Sequence, residues 1–369
     1  MDLAESAARF AAEAERERRL PAELVAEMAD AGVFRLCVPR AAGGLEEHPT
    51  VLVETVEALA RGDGAAGWCA AIGATSGLLS GYIPEEAARE VYASPRAIAG
   101  GVFAPFGRAT RVEGGFRVTG RWSFASGCTH CDWLMGGCFV EGEDPPVPRL
   151  MLAHADEVEI HDTWDAMGLR GTGSHDIEMR DVFVPSERTA SLVADRPTAS
   201  GRLYAFPVFG LLALAIGAVG LGIARGALDD VIELAGRRTP TGSRRTMGER
   251  PAVQADVAGA ETKLRAARAF LLTAVDDAWN AAGGDGGEVP VEQRVALRLA
   301  ATHAATAGAE VTGVAYRLGG GSSVYESRSA LPRRFRDANT ATQHMLVAPA
   351  TNELTGRLLL GVPTDTSQL

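Results

Sequence analysis

The sequence predicts an α+β chain, mainly α: an N-terminal helical domain, a central antiparallel β-barrel or sheet, and a C-terminal antiparallel helical bundle. Three observations carry this. Apolar residues recur at spacings of three and four through residues 1–98. The period falls to two between 99 and 190. From 200 to 369 the helical period returns in runs long enough for bundle helices. Domains are therefore expected at 1–98, 99–190 and 200–369, the last also carrying oligomerisation.

The elements follow in order. The run LVAEMADAGVFRL has helical spacing, with Pro21 opening a helix and Gly32 closing one. Asp63-Gly64 marks a turn before the helix AAGWCAAIGATSGLL. RVEGGFRVTGRWSFAS alternates around Gly114-Gly115 and reads as a hairpin. WLMGGCFV and RLMLAHA are further strands, and DIEMRDVFVP closes the sheet at Pro185. Four or five long helices follow, starting from ALDDVIELAGRR, with a linker at 282–290.

Composition narrows the function. The chain has 369 residues, 46% hydrophobic content and a net charge of −11, as a globular protein does. Its cations are arginines apart from Lys263, and they form no basic stripe, which argues against nucleic acid. The charged, amphipathic N-terminus has no apolar signal region. Five cysteines, an odd number, point to reduced thiols and a cytoplasmic protein. Cys128, Cys131 and Cys138 lack the second ligand pair of a zinc site and are expected in turns or the core, with no metal. Ala205–Ala224 is twenty residues without a charge, long enough to cross a bilayer. Pro207 and glycines 210, 217, 220 and 222 interrupt it, so no membrane span is expected. It is expected to start the bundle, at the centre of an oligomer core. Gly220, Gly222 and Gly226 follow no strand, which favours close helix packing over a dinucleotide loop.

Three stretches in fixed order carry chemistry: 100–127 with Phe103-Ala104-Pro105 and WSFASG, 163–185 with GLRGTGSHD and DVFVP, and 334–353 with RDAN and QH. They resemble the acyl-CoA dehydrogenase fold superfamily over nearly the whole chain. Gly319-Gly320 precedes RDAN as that family's glycine pair does. Two departures stand out. Phe103-Ala104-Pro105-Phe106-Gly107 replaces the TEP-x-x-GSD type of loop that dehydrogenases hold against the flavin. Where their glutamate base commonly follows RDA, this chain has His344 and Met345.

The sequence is most similar to the oxygenase components of two-component (group D) flavin-dependent monooxygenases. That resemblance implies reduced FMN or FAD, supplied by a separate NAD(P)H-dependent flavin reductase, and O2 as co-substrate. It implies a C4a-hydroperoxyflavin that hydroxylates a small aromatic, phenolic or polyketide-like molecule, with N- or S-oxygenation open, in a homotetramer. Ser126 is the position carried over to flavin N5, with Ser123 as rival. Trp122 and Phe124 would wall the ring; without the resemblance, two aromatics alternating on a strand read as core. Phe103, Gly127 and Gly320 join the cofactor-binding set. Arg244 would reach flavin phosphate across a dimer interface, or belong to an exposed basic loop. His344 falls beside C4a; on a helix and titrating near neutrality, it would hydrogen-bond the peroxide or deprotonate a phenol. Arg170, His175 and Asp176 are expected to hold a sheet-edge turn, and His130 is a candidate substrate contact. Two alternatives stay open: an acyl-CoA dehydrogenase-type FAD desaturase, and a non-catalytic assembly partner.

Overall fold

The computed structural model describes residues 2–240, 242–283 and 288–369. The middle of the expected linker, 284–287, lies outside them.

Five helices open the chain: α1 (Leu3–Glu17), α2 (Ala22–Asp30), α3 (Pro49–Gly62), α4 (Gly64–Ser76) and α5 (Glu85–Val91). Pro21 is the N-cap of α2, and Gly32 lies just beyond its end at φ +76°. Asp63 separates α3 from α4 and caps the latter, its carboxylate accepting from Ala66 N at 3.0 Å.

Seven strands follow: β1 (Ala99–Val112), β2 (Gly115–Ala125), β3 (Trp133–Val140), β4 (Pro148–His154), β5 (Glu159–His161), β6 (His175–Pro185) and β7 (Thr189–Ala190). They form one sheet in the order β5-β6-β2-β1-β3-β4-β7. The hairpin sits where the glycine pair placed it, with Val112 opposite Gly115. The expected all-antiparallel sheet is corrected: β1 and β3 run parallel. The chain leaves β2 through a short turn at Cys128–His130 and returns on the far side of β1, so the sheet is mixed.

The C-terminal part holds α6 (Arg202–Ala205), α7 (Val208–Arg237), α8 (Pro251–Ala282), α9 (Val291–Gly319), α10 (Leu331–Ala341) and α11 (Thr351–Leu359). The apolar stretch runs from the last residue of α6 through the first half of α7. This is the one helix among the described residues long and apolar enough to cross a bilayer, yet 83% of its apolar window is buried. Its burial needs no second copy, which corrects the expectation of an oligomer core. A Cβ on Gly222 would lie 2.3 Å from Glu57 O of α3, and one on Gly220 3.0 Å from Ala305 of α9. Small residues on both sides let α3 and α9 close on α7 within one chain.

The cysteines are free, and all but the half-buried Cys131 lie in the core. Burial pushes the Cys37, Cys128 and Cys138 thiols up to about 12, so they stay unreactive thiols.

Candidate active site

The three motif stretches converge, and α4 joins them. Trp68 of α4 is buried and donates Nε1–H to Ser126 Oγ at 2.9 Å. A bulge aims Ser126. The pairing of β2 with β6 shifts between Trp122 and Ala125, and Phe124 takes φ +69°. A non-glycine residue at positive φ is uncommon and marks a locally enforced geometry. The bulge sends Phe124 outward, 70% exposed and edge-on to Trp164, while Ser126 turns inward at 7%. Ser123 turns elsewhere, half-buried beside Asp176, whose carboxyl it helps to hold down.

Ser126 Oγ lies 2.8 Å from Ser174 Oγ, which lies 2.6 Å from Thr172 Oγ1. Thr172 Oγ1 in turn donates to Leu169 O at 2.8 Å. This loop is fixed from both sides. Gly127, at φ +72°, donates its N–H to Thr172 O at 2.8 Å. Asp337 of the RDAN motif accepts from Leu169 N at 2.6 Å. Gly168 lies flush on α10, where a Cβ would sit 2.4 Å from Arg336 O. His175 Nδ1 accepts from Thr163 N and Trp164 N, both at 3.2 Å. Arg170 donates to Ala166 O at 3.0 Å, and Arg121 donates to Asp176 at 3.0 Å.

His344 approaches from the other side. The expected helix stops at Ala341, so His344 stands in the turn that follows. Its ring meets Trp68 edge-on at 5.5 Å. Nδ1 accepts from Leu346 N at 3.3 Å, which places the ring proton on Nε2. Burial, with Arg298 adding to it, pushes the pKa down to about 4. His344 is therefore neutral at pH 7 with its ring hydrogen on Nε2; the expectation of titration near neutrality is corrected. Met345 is exposed, and no carboxylate replaces it in this turn.

Trp122 is also corrected. It is 0% exposed, inside the sheet core, with Nε1 donating to Gly137 O at 2.8 Å. Cβ atoms on Gly107, Gly120 and Gly136 would each collide with its ring, so three glycines form its socket. It offers no face to a ligand. The bulge breaks the alternation that would have put Phe124 on the same side.

The remaining candidates disperse. Phe103 is half-buried in the bulged part of β1, between two core clusters. Gly320 ends α9 at φ +53°, next to Gly319 O, which accepts from Arg238 at 2.5 Å. Arg244 is exposed. Among the described residues neither Gly320 nor Arg244 hydrogen-bonds to the Ser126 group. His130 is half-buried beside Phe34; its Nδ1 is buried without a partner, and burial pushes it down to about 4.

Sequence reasoning missed Trp68, Ser174 and Asp337. Trp68 reads as one more apolar residue of a buried helix. Asp337 is fully buried and pushed up to about 7 by burial and by Asp63. Asp63, itself raised by burial, faces Arg333 at 3.6 Å.

A buried hydroxyl and a neutral imidazole each contact Trp68 where helices, sheet and bundle join. Comparison with known proteins identifies this plan. Residues 3–92 match the family profile "Acyl-CoA dehydrogenase, N-terminal domain", and residues 214–349 match "Acyl-CoA dehydrogenase, C-terminal domain". The indole-3-acetate monooxygenase of Pseudomonas putida is 36% identical over 95% of this chain and 89% of its own. The FADH(2)-dependent resorcinol hydroxylase, oxygenase component, of a Rhizobium species is 30% identical over 98% and 92%. The structure of XiaF from Streptomyces, in complex with FADH2 and glycerol, superposes with a TM-score of 0.88 at 28% identity, over 98% of this chain and 95% of that one. The chain belongs to the acyl-CoA dehydrogenase family. Within it the protein is a flavin-dependent monooxygenase, the oxygenase component of a two-component system.

Proposed function

We infer that the Ser126–Trp68–His344 junction holds the reacting edge of a reduced flavin and that the protein hydroxylates a small aromatic substrate, a phenol or an indole first. The observation that carries this is the pairing of a buried hydroxyl with a neutral, proton-bearing imidazole across one tryptophan. The residues fit a flavin: its polar edge needs both donors and acceptors, and here they sit out of water. When bound, reduced FMN or FAD supplies the chemistry that activates O2. The chain's own residues orient and protect it. Ser126 meets the N5 edge, Trp68 sets the position of Ser126, and His344 offers its Nε2–H. Gly127 fixes the Ser126 turn, and the exposed Phe124 gives an apolar rim. The relatives' names, an indole-3-acetate monooxygenase and a resorcinol hydroxylase, favour an aromatic ring over a polyketide-like one.

A separate NAD(P)H-dependent reductase delivers the flavin, as the name "oxygenase component" of the resorcinol hydroxylase suggests. The assembly is a homotetramer in which Arg244 and Gly320 serve a flavin held by a neighbouring copy; exposed Leu359 and Leu360 give the bundle an apolar face for contact. Free cysteines suit a reducing cytoplasm. In this reading 1–98 and 99–190 frame the substrate, and 200–369 completes the flavin site.

The test mixes the protein with chemically reduced FMN or FAD, then oxygen, in the presence of phenols, resorcinol and indole-3-acetate. A product heavier by one oxygen atom is expected, and His344→Ala should consume reduced flavin without it. No oxygenated product across both flavins and all substrates would sink the reading.

A further inference from the structure

The hydroxyls behind Ser126 run in one direction when every contact carries a hydrogen, with Leu169 O accepting from Thr172 Oγ1 beside Thr172 N and Trp164 Nε1, both at 3.1 Å. Three oxygen–oxygen contacts run in series: Leu169 O to Thr172 Oγ1, Thr172 Oγ1 to Ser174 Oγ, and Ser174 Oγ to Ser126 Oγ. Each contact needs one proton between its oxygens, and three hydroxyl protons are available. The Leu169 carbonyl has none to give. Thr172 must therefore donate to Leu169, Ser174 to Thr172, and Ser126 to Ser174. At the far end Trp68 Nε1–H can only donate, so it cannot draw the Ser126 proton the other way. Any reversal leaves two buried oxygens in contact with no hydrogen between them.

We propose that this directed chain makes Ser126 an obligate hydrogen-bond acceptor, and that Thr172 and Ser174, as positioning residues, thereby set the site's preference for reduced over oxidised flavin. Ser126 has spent its proton on Ser174 and one lone pair on Trp68, so it offers a ligand only its second lone pair. Reduced flavin carries a hydrogen on N5 and satisfies that lone pair. Oxidised flavin presents a lone pair at N5 and meets another. The inference rests on the reading that Ser126 meets the N5 edge. It gives the oxygenase a means to take up flavin from the reductase and to release it once oxidised. The rest of the loop keeps the chain taut. Leu169 is pinned by Asp337, and Gly127 N–H holds the Thr172 carbonyl.

The test compares affinities in two redox states, with no turnover. The full-length protein is titrated with oxidised FMN and FAD, and anaerobically with the dithionite-reduced forms. The wild type should bind the reduced forms more tightly. Ser174→Ala frees the Ser126 proton, so Ser126 can donate to oxidised N5. The ratio of the two affinities should narrow by roughly five- to tenfold, the worth of one net hydrogen bond. Thr172→Val should narrow it in the same direction, because the Ser174 proton then turns to Ser126. This variant keeps the side-chain shape and carries the test where Ser174→Ala does not fold. A purely structural defect would weaken both states alike and leave the ratio unmoved, which would overturn the proposal. So would a wild type with no preference. Ser126→Ala separates the two levels. If it shifts the ratio while the Ser174 and Thr172 variants do not, the directed chain fails and the flavin reading stands. If it changes neither affinity, Ser126 does not meet flavin and both fail.

Discussion

Replacing Asp337 with asparagine tests how the site loop is tied to the bundle. Asp337 is fully buried, faces Asp63, Glu15 and Arg333, and holds Leu169 N. Its carboxyl is pushed from an ordinary 3.8 up to about 7. The folded protein therefore keeps a proton that the unfolded chain has released, and raising the pH through this window removes stability. Below about pH 4 both states are protonated and the term vanishes; above about pH 7 the buried charge is present in full. Between about pH 5 and about pH 8 the folded state gives up close to two pH units of this advantage, or about 3 kcal/mol. Asparagine keeps an acceptor for Leu169 and cannot ionise. Asp337→Asn should gain about 3 kcal/mol relative to wild type on going from about pH 5 to about pH 8. The quantity to read is the difference between the two proteins in urea unfolding followed by circular dichroism at each pH. That difference cancels the opposing contribution of His130 and His344, whose lowered pKa values remove stability as the pH falls from about 6.5 toward 4. Parallel stability profiles for variant and wild type would refute the reasoning.

Three further outcomes are expected. Trp122→Phe should lower stability by about 2 kcal/mol in urea, through the lost bond to Gly137 and the gap left among its three glycines, with flavin affinity unchanged. Weakened flavin binding at full stability would return Trp122 to the site. His344 stays neutral above about 4, so product formation by the wild type should show no histidine ionisation between about pH 5.5 and about pH 8. Gly168→Ala places a Cβ 2.4 Å from Arg336 O and should push the loop off α10, costing about 2 kcal/mol in a melting assay and weakening both redox forms of flavin together.

The sequence was most legible where one period or one cap decides the outcome. The Gly114-Gly115 hairpin, the Asp63-Gly64 break before α4 and the uncharged first half of α7 are of this kind. It was least legible where a bulge breaks a period. Trp122 and Phe124 are two residues apart and by alternation belong to one face, yet the shift before Ala125 puts one in the core and the other in solvent. Strand direction was equally hidden, since a short turn at Cys128–His130 decides that β3 joins β1 in parallel. Ser126 and His344 were picked out through motif likeness, but their link runs through Trp68, whose polar N–H is invisible in a pattern of apolar residues. Nor could spacing foresee that burial and Leu346 would leave His344 a neutral donor.

The position of α7 has a consequence for how the chain comes to be folded. Its glycines seat it against α3, including the backbone of Glu57 and Arg61, and that contact spans the whole sheet in sequence. During synthesis the first helices leave the ribosome with the surface meant for α7 bare, and it stays bare until residues beyond 208 emerge. Contacts this distant in sequence slow folding. The young chain therefore passes through a long interval with its future centre uncovered, and chaperone demand should peak there. A truncation before α7 would strand the N-terminal helices in that state, even though they look self-sufficient.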